Sequence, residues 1–267
     1  MPDSAHADDD SLLLPRWEWG LGIGGAWLSD YPGSEHETPY VLPYPWFVWR
    51  SERAELGRGG ARGILFRAPR AEIALTLSGN PPSRSDDNPE RAGMPDLDAV
   101  LEPGLLLRWG TLLDDAGRWR LSLRLPLRMA YRLDEHLRAF PLGGHSEPGL
   151  TLNRQVTPQF SWALTAATGI AEPAWHDYYY GVPVSAATAD RPAYKAPGGY
   201  SGWSVGGRLS WRRGGLAGGV YLSADHVGDA VFAGSPLVAT PWGHAVGAHL
   251  NWRLGQSGQT IGGHEEI

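Results

Sequence analysis

The sequence predicts an all-β fold in which about 10 to 12 antiparallel strands follow one another as a meander of hairpins. Three observations predict it. Apolar residues alternate with small or polar residues along most of the chain, and no segment shows convincing helical spacing. Glycine and proline supply 36 and 22 of the 267 residues. Turn sequences rich in glycine, at residues 58–60, 114–117 and 213–215, separate several of the alternating segments.

The clearest strand is Trp119–Leu133, whose odd positions are all large and apolar, whereas four of its even positions are arginine. A helix would bring residues three and four apart onto one face, so a period of two indicates a strand. The same alternation occurs, in chain order, near residues 17–27, 72–78, 101–109, 159–165, 203–211 and 246–254, and more weakly near 42–49, 61–67, 149–153 and 216–224.

Outside this pattern we expect three long loops, at residues 79–98, 134–148 and 172–201. The strands form a single domain at residues 16–254. An unstructured segment, 1–15, precedes it, and a polar tail, 255–267, follows it. Within the first segment, Ala5, His6 and Ala7 have the small-x-small form of a signal-peptidase site, which we interpret as the remnant of a cleaved signal peptide.

Composition excludes several classes of protein. The absence of cysteine excludes disulfides, cysteine-ligated zinc and a thiol nucleophile. A net charge of -6 argues against a nucleic-acid partner. A hydrophobic content of 42% is too high for a disordered chain. We expect no cofactor, because the one G-x-G-x-x-G sequence, at residues 20–25, lies inside a strand instead of before a helix.

The polar face of the strands favours a transmembrane barrel over a soluble β-sandwich with a tryptophan core, the alternative reading of the same alternation. A face washed by solvent is typically rich in lysine and glutamate, but this one carries glycine, alanine, serine, threonine and arginine. Tryptophans also lie near strand ends, as in the aromatic girdles of outer-membrane barrels. The predicted lumen-facing charges are Glu18, Glu72, Glu102, Arg108, Arg120, Arg124, Arg128, Arg208 and Arg253.

Four patches of sequence resemble the MipA/OmpV family of outer-membrane proteins, whose name comes from an MltA-interacting protein. They are residues 29–34, with Asp-Tyr-Pro-Gly-Ser; residues 91–97; residues 178–182 with 191–194; and residues 228–230 with 235–238. The chain departs from the family in ending on a polar tail where relatives end on an aromatic residue. The family-motif loop residues to which no role is assigned are Tyr31, Pro32, Gly33, Arg91, Gly93, Met94, Pro95, Tyr179, Tyr180, Gly181, Val182, Arg191 and Tyr194.

The resemblance implies a scaffold or interaction protein in the outer membrane of a Gram-negative envelope, in contact with lipid. It further implies a link between murein hydrolases and murein synthases during growth of peptidoglycan. The residues leave a second reading open, a narrow channel for small polar or anionic solutes, since the inward arginines favour anions. With this strand count we expect a narrow or blocked lumen.

Few sequence features point to catalytic or binding chemistry, and we expect that the protein is not an enzyme. A membrane-embedded hydrolase would use Ser223, Asp225 and His226, or His145 with Ser146, yet no nucleophile-elbow sequence surrounds either serine. Another polar loop, with Asp30, Glu35, His36 and Glu37, has the oxygen ligands of a metal site but not an arrangement that converges on one ion. His176 and Asp177, before three tyrosines, are candidates to bind a glycan or a protein partner.

Overall fold

A computed structural model describes residues 13–57, 60–80 and 82–262 of the chain. The signal-peptidase-like residues 5–7 lie outside the described residues. The strands are β1 (Leu13–Pro15), β2 (Trp17–Ser29), β3 (Glu37–Arg50), β4 (Ala54–Gly57), β5 (Gly60–Ala68), β6 (Ala71–Asn80), β7 (Ala99–Leu112), β8 (Trp119–Leu133), β9 (Ala139–Ser146), β10 (Gly149–Thr157), β11 (Phe160–Ala171), β12 (Gly199–Arg213), β13 (Leu216–His226), β14 (Trp242–Gln256) and β15 (Thr260–Gly262). One α-helix, α1 (Pro173–Tyr180), and two single 3-10 turns, Ser85–Asp87 and Val184–Ala186, complete the described part.

Strands β2 to β14 form a closed antiparallel barrel, because consecutive strands pair as hairpins and β14 pairs back onto β2. β9 and β10 are two halves of one strand, interrupted at Glu147 and Pro148, and each half pairs with both β8 and β11. Counted in this way, the barrel has 12 strands, within the predicted range. The predicted fold class is therefore confirmed.

The outer face of the barrel is apolar and the inner face carries small and charged residues. Along β2, Trp19, Leu21 and Ile23 point outward and are exposed, whereas the glycines between them point inward. Two of these glycines are required by packing. A Cβ at Gly20 would collide with the backbone of β14 at Trp252, and one at Gly22 would meet the ring of Tyr44.

Most tryptophans lie on the outer face, as predicted, and they cluster at the strand ends. Trp17 pairs with Trp49 where β2 begins and β3 ends, while Trp27 lies near the opposite end of β2. Other outward tryptophans near strand ends are Trp109, Trp119, Trp162, Trp203, Trp211, Trp242 and Trp252. An apolar belt between rings of tryptophan is the surface that outer-membrane barrels present to lipid.

Two predictions about the loops are wrong. Ala139–Ser146, expected within a loop at 134–148, forms β9, in which a bulge beside Ala130 and the left-handed Gly143 (φ 92°) obscure the alternation. Residues 172–201 were expected to contain no helix but include α1. Its eight residues bury side chains in several directions and so lack one apolar stripe. No helix among the described residues is long and apolar enough to cross a membrane.

The two ends of the barrel differ. At the turn end, short connections at residues 51–53, 69–70, 113–118, 158–159 and 214–215 join the strands, and β1 pairs with β15 beside them. At the loop end lie the longer connections 30–36, 82–98, 134–138, 172–198 and 227–241. Residues 13–15 and 260–262, in the segments expected to be unstructured or a tail, thus form this small terminal ribbon.

Candidate functional site

Helix α1 lies inside the mouth of the barrel at the loop end. It begins with Pro173 at its first position, where a proline costs no helical hydrogen bond. Trp175 stacks on the inward-facing ring of His145, with ring centroids 4.2 Å apart and planes within 4°. Three tightly packed wall residues, Val100, Ala130 and Leu142, are buried beneath Trp175, Tyr178 and Tyr179 of the helix.

Four loops pack into one body that we call the cap, defined as residues 30–36, 82–98, 172–198 and 227–241, and α1 is its innermost part. Its buried apolar core draws on all four loops: Tyr31, Met94, Tyr180, Val182, Ala196, Val227, Ala230, Phe232 and Leu237. The four sequence patches that resemble the MipA/OmpV family, separated along the chain, therefore meet in space. Loops packed around their own core form a defined surface over the mouth.

Tyrosine hydroxyls join the loops of the cap. Tyr31 donates to the carbonyl of Leu237 at 2.9 Å, and Tyr180 donates to the carbonyl of Pro32 at 3.0 Å. The ring of Tyr180 also stacks on Phe232, with a centroid separation of 3.7 Å. Burial raises the pKa of both phenols well above the ordinary value of 10.0, so both remain protonated hydrogen-bond donors.

Two arginines of the predicted motif residues also hold the cap together. Arg91 is buried, and its guanidinium donates to Ser85 Oγ at 3.2 Å and to the carbonyls of Tyr179 and Pro95 at 3.0 and 3.3 Å. Arg191 donates to the carbonyls of Glu90 and Ala92, both at 2.9 Å, and to that of Ala186 at 3.0 Å. A planar guanidinium with five donors suits such convergent carbonyls.

The remaining motif residues shape the backbone of the cap. Gly33 and Gly93 adopt positive φ angles of 97° and 74°, which disfavour other residues. The amide of Gly181 caps α1 by donating to Asp177 at 2.9 Å. Val182 and Tyr194 form a bridge through two backbone hydrogen bonds of 2.8 and 3.0 Å. The structure therefore brings the motif residues together as parts of one body.

His176 has a role that sequence reasoning missed, because nothing near it in the sequence points to its partners. Its Nδ1 lies 2.7 Å from the carbonyl oxygen of Pro197, and its Nε2 lies 2.8 Å from Ser201 Oγ. Since a carbonyl only accepts, Nδ1 carries the proton and Nε2 accepts from Ser201. Burial lowers the pKa of His176 below its ordinary value of 6.5. Phe232 covers the imidazole at 4.7 Å, so the pair ties α1 to β12.

Below the cap, the inward glutamates form ion pairs with arginines. Glu18 pairs with Arg50 at 2.8 Å and with Arg253 at 3.1 Å. Glu72 is almost fully buried and pairs with Arg62 at 3.2 Å and Arg67 at 2.7 Å. Sequence reasoning missed Arg50, Arg62 and Arg67, because the alternation is weak in β3 and β5.

The third glutamate lies directly under α1. Glu102 Oε2 is 3.6 Å from Arg128 Nη1 and 3.4 Å from His145 Nε2, and His145 in turn stacks on Trp175. The charged lumen and the aromatic cap thus touch at this point.

Inward arginines outnumber the glutamates that pair with them. Arg108 and Arg124 stand directly opposite each other on β7 and β8, and Glu72 lies 3.9 Å from Arg108. Within the described residues, Arg124 and Arg208 have no ion-pair partner. Arg120 also lies on this face of β8. The lumen wall at β7 and β8 is therefore positively charged.

The hydrolase residues weighed from sequence do not converge. Ser223 and Asp225 face inward, whereas His226 faces outward, where its ring lies 4.6 Å from that of Trp242. Ser146 Oγ donates to the carbonyl of Pro126.

The polar loop considered for a metal closes on itself. Asp30 Oδ2 is 3.0 Å from His36 Nδ1 and 2.8 Å from the side-chain nitrogen, Nδ2, of Asn88. Its other oxygen, Oδ1, accepts a hydrogen bond from the hydroxyl of Thr38. Among the residues that the structure describes, no group of three or more His, Cys, Asp or Glu is arranged to hold a metal ion.

Comparisons with known proteins give one family match and several similar solved structures. A family model described as MltA-interacting protein MipA matches residues 21–254. No curated protein matches the sequence. Among solved structures, the NanC porin is 8% identical, with 88% of this chain and 100% of that chain covered and a TM-score of 0.45. A bacterial polysaccharide outer membrane secretin is 8% identical, with 89% and 98% covered and a TM-score of 0.45. The toluene transporter TbuX of Ralstonia pickettii is 12% identical, with 91% and 90% covered and a TM-score of 0.33.

Proposed function

The chain belongs to the MltA-interacting protein MipA family, and from that premise we propose that it is a non-enzymatic scaffold of the cell envelope, embedded in the outer membrane. The closed barrel supports this location, because a closed sheet is one of the few structures that satisfies its backbone groups in lipid. The apolar outer face with tryptophans near the strand ends supports it too. Recovery of the full-length protein in the soluble periplasm, with no heat-dependent gel shift, would contradict it.

The observation that most favours a scaffold function over a pore function is the packing of α1 inside the mouth of the barrel. Trp175 and Tyr179, at the base of the cap, fill space along the inner wall, and the rest of the cap packs around a buried core of its own. A packed body of this kind obstructs the path through the barrel, which argues against an open pore.

We further propose that the partner is a murein hydrolase–synthase assembly, as the family name suggests, and that it binds the turn end. In outer-membrane barrels the short turns face the periplasm, where murein lies, and the long loops face outward. The turn end also carries the β1–β15 ribbon, whose backbone continues to the barrel through Ser257 and Trp17. The cap, at the loop end, would then face the cell exterior.

Two matched leucines test this assignment. Leu113 lies at the turn end and Leu137 at the loop end, and both are more than half exposed, at 55% and 79%. A photo-crosslinking amino acid at Leu113 is expected to capture a murein hydrolase or synthase in growing cells, whereas one at Leu137 is not. Capture from Leu137 alone, or from neither position, would contradict the assignment.

A second candidate, a narrow channel for small anions, is favoured by the excess of inward arginines. Arg124 and Arg208 line the lumen, and neither has an ion-pair partner among the described residues. Chloride-selective conductance in planar bilayers, reduced by Arg124→Gln, would favour the channel. The absence of conductance in both the wild type and the Arg124→Gln variant would favour the scaffold.

A further inference from the structure

The barrel wall has an interruption beside β3. β4 has only four residues and pairs with β3 only at Trp49 and Arg50. Throughout the described part of the chain, no strand pairs with residues 37–48 of β3 on that edge. We call this interruption the window. Gly57, at the end of β4, bounds it toward the turn end. The contact of Asn88 with Asp30 lies beyond it at the loop end.

Three prolines occupy the edge of β3 that faces the window. The amide of Arg50 donates to the carbonyl of Arg16, on the side of β2, and β2 and β3 pair without a bulge. Amide groups alternate in direction along a strand, so those of odd-numbered residues point into the window. Pro39, Pro43 and Pro45 are odd-numbered and have no N–H to leave unpaired.

The prolines decide what can occupy the window. A strand from another chain, including a second copy, would find few donors on this edge, so strand addition is disfavoured. The carbonyls that remain on the edge need water or another donor. Irregular backbone at membrane depth is tolerated where it lines a water-filled cavity. Water on the lumen side can reach these carbonyls, so the unpaired edge is compatible with membrane depth.

Side chains on both faces of β3 line one cavity at this edge. The cavity has a volume of about 500 Å³ and is lined by residues 44–47 and Gly57. Tyr44 and Trp46 face the lumen, while Pro45 and Phe47 face outward. A cavity that touches both faces of one strand lies at the open edge of that strand. Its volume falls in the range of about 300–1,000 Å³ found for ligand pockets.

Exposure of the neighbouring residues agrees with an opening. Val41 points outward and is 70% exposed, yet Leu42, which points inward, is also 62% exposed. Leu42 pairs with Gly24 of β2, which has no side chain to cover it. Along β2, Gly24 lies between Trp19 and Trp27, so the window lies at the level of the apolar belt.

We propose that the window is a lateral opening through which an acyl chain of a bilayer lipid enters the barrel wall. The proposal rests on the proposed outer-membrane location. It commits to an acyl chain because Pro45 and Phe47, two of the five lining residues, face the outer surface assigned to lipid, and Trp46 adds an aromatic wall beside Tyr44 and Gly57. Water alone, or a second copy of the chain, are the occupants that the experiment distinguishes.

The test uses two pairs of consecutive residues, each with one outward and one inward side chain. Val41 and Leu42 flank the window, and Leu222 and Ser223 lie in a fully paired part of β13. The chain has no cysteine, so each single-cysteine variant accepts one fluorophore without other changes. The full-length barrel is reconstituted in vesicles of phosphatidylcholine with brominated acyl chains, which quench fluorophores that they touch.

Quenching is expected at Val41, Leu42 and Leu222, with a similar loss of fluorescence at each, and not at Ser223. If the fluorophore at Leu42 is as protected from bromine quenching as the one at Ser223, while Leu222 is still quenched, the window is overturned. The membrane location is not contradicted by that result. Protection of all positions contradicts the proposed location instead. Quenching of Leu42 by aqueous iodide alone also overturns the acyl chain as occupant. Protection at Leu42 only in cross-linked dimers would indicate a second copy and overturn the proposal as well.

Tyr40→Cys provides a second inward position at the window should the Leu42 variant fail to assemble. Its side chain is inward and exposed, like that of Leu42. A heat-dependent gel shift identifies assembled barrels before fluorescence is read, so only folded variants enter the comparison.

Discussion

The phenol of Tyr180 donates a hydrogen bond of 3.0 Å to the carbonyl of Pro32, a residue 148 positions earlier in the chain. One residue ends α1 and the other lies in the first loop of the cap. This contact joins two of the sequence patches that resemble the family. It explains why separate motifs belong together: they build one buried body over the barrel mouth.

Tyr180→Phe is expected to loosen the cap by about 1–2 kcal/mol, because the carbonyl of Pro32 loses its donor while the ring is retained. Hydrogen exchange of amides in residues 177–182 measures this opening. The barrel itself should remain assembled. Tyr40→Phe, at a tyrosine with no hydrogen-bond partner among the described residues, is the control and should leave exchange unchanged. Equal exchange in wild type and Tyr180→Phe would contradict the role of this contact.

Arg91→Lys is expected to destabilise the cap by about 1–3 kcal/mol, since one ammonium cannot reproduce the geometry of a guanidinium that bonds three groups. Limited proteolysis within residues 82–98 is the measurement, and the variant should be cleaved faster. Arg118→Lys, at an exposed arginine of the turn end, serves as the matched control. If both variants resist protease as wild type does, Arg91 does not hold the cap.

Acidification is expected to open the cap through His176. Its folded pKa is depressed below 6.5 by burial, so the unfolded form takes up a proton first. The contribution of neutral His176 to the stability of the cap is therefore complete above pH 6.5, and it is lost as the pH falls toward the pKa of His176 in the folded protein. Hydrogen exchange of the amides of residues 174–180, followed between pH 7.5 and pH 5, measures this loss of stability.

A glutamine at position 176 retains a donor and an acceptor but does not titrate, so His176→Gln should flatten this pH dependence. His136→Gln, at an exposed histidine, should leave it unchanged. Persistence of the full dependence in His176→Gln would assign it to another group.

Glu72→Gln is expected to destabilise the barrel by about 3 kcal/mol, because among the described residues it leaves Arg67 with no carboxylate and Arg62 with Glu55 alone. The figure is at the low end for buried pairs, since both guanidiniums reach water in part. Urea unfolding of the protein in vesicles measures it. The exposed Glu135→Gln should change stability by less than about 0.5 kcal/mol. Equal midpoints for the two variants would show that Glu72 does not organise the lumen.

Local alternation predicted the barrel because each long strand, such as Trp119–Leu133, separates its two environments cleanly. It also predicted Glu18, Glu72 and Glu102 as inward charges, and the structure places their side chains in ion pairs inside the barrel. Period-two patterns carry this information because a strand has only two faces.

The cap was not predictable in the same way. Tyr31, Tyr180 and Phe232 are buried by contacts between distant loops, and no local pattern encodes such contacts. Helix α1 was not predicted because its buried side chains point in several directions and so form no apolar stripe in the sequence. The window was not predictable because the alternation near residues 42–49 indicates a strand but not which strands pair with it.

Conductance of single wild-type barrels in a planar lipid bilayer tests the central claim most directly, namely that α1 and the cap close the mouth of an outer-membrane barrel. Trp175 and Tyr179, at the base of the cap, pack against the inner wall of the barrel. We expect the protein to insert, as verified by the heat-dependent gel shift of the reconstituted protein, without discrete current steps. Stable, large steps from every inserted wild-type barrel would show an open lumen and contradict it.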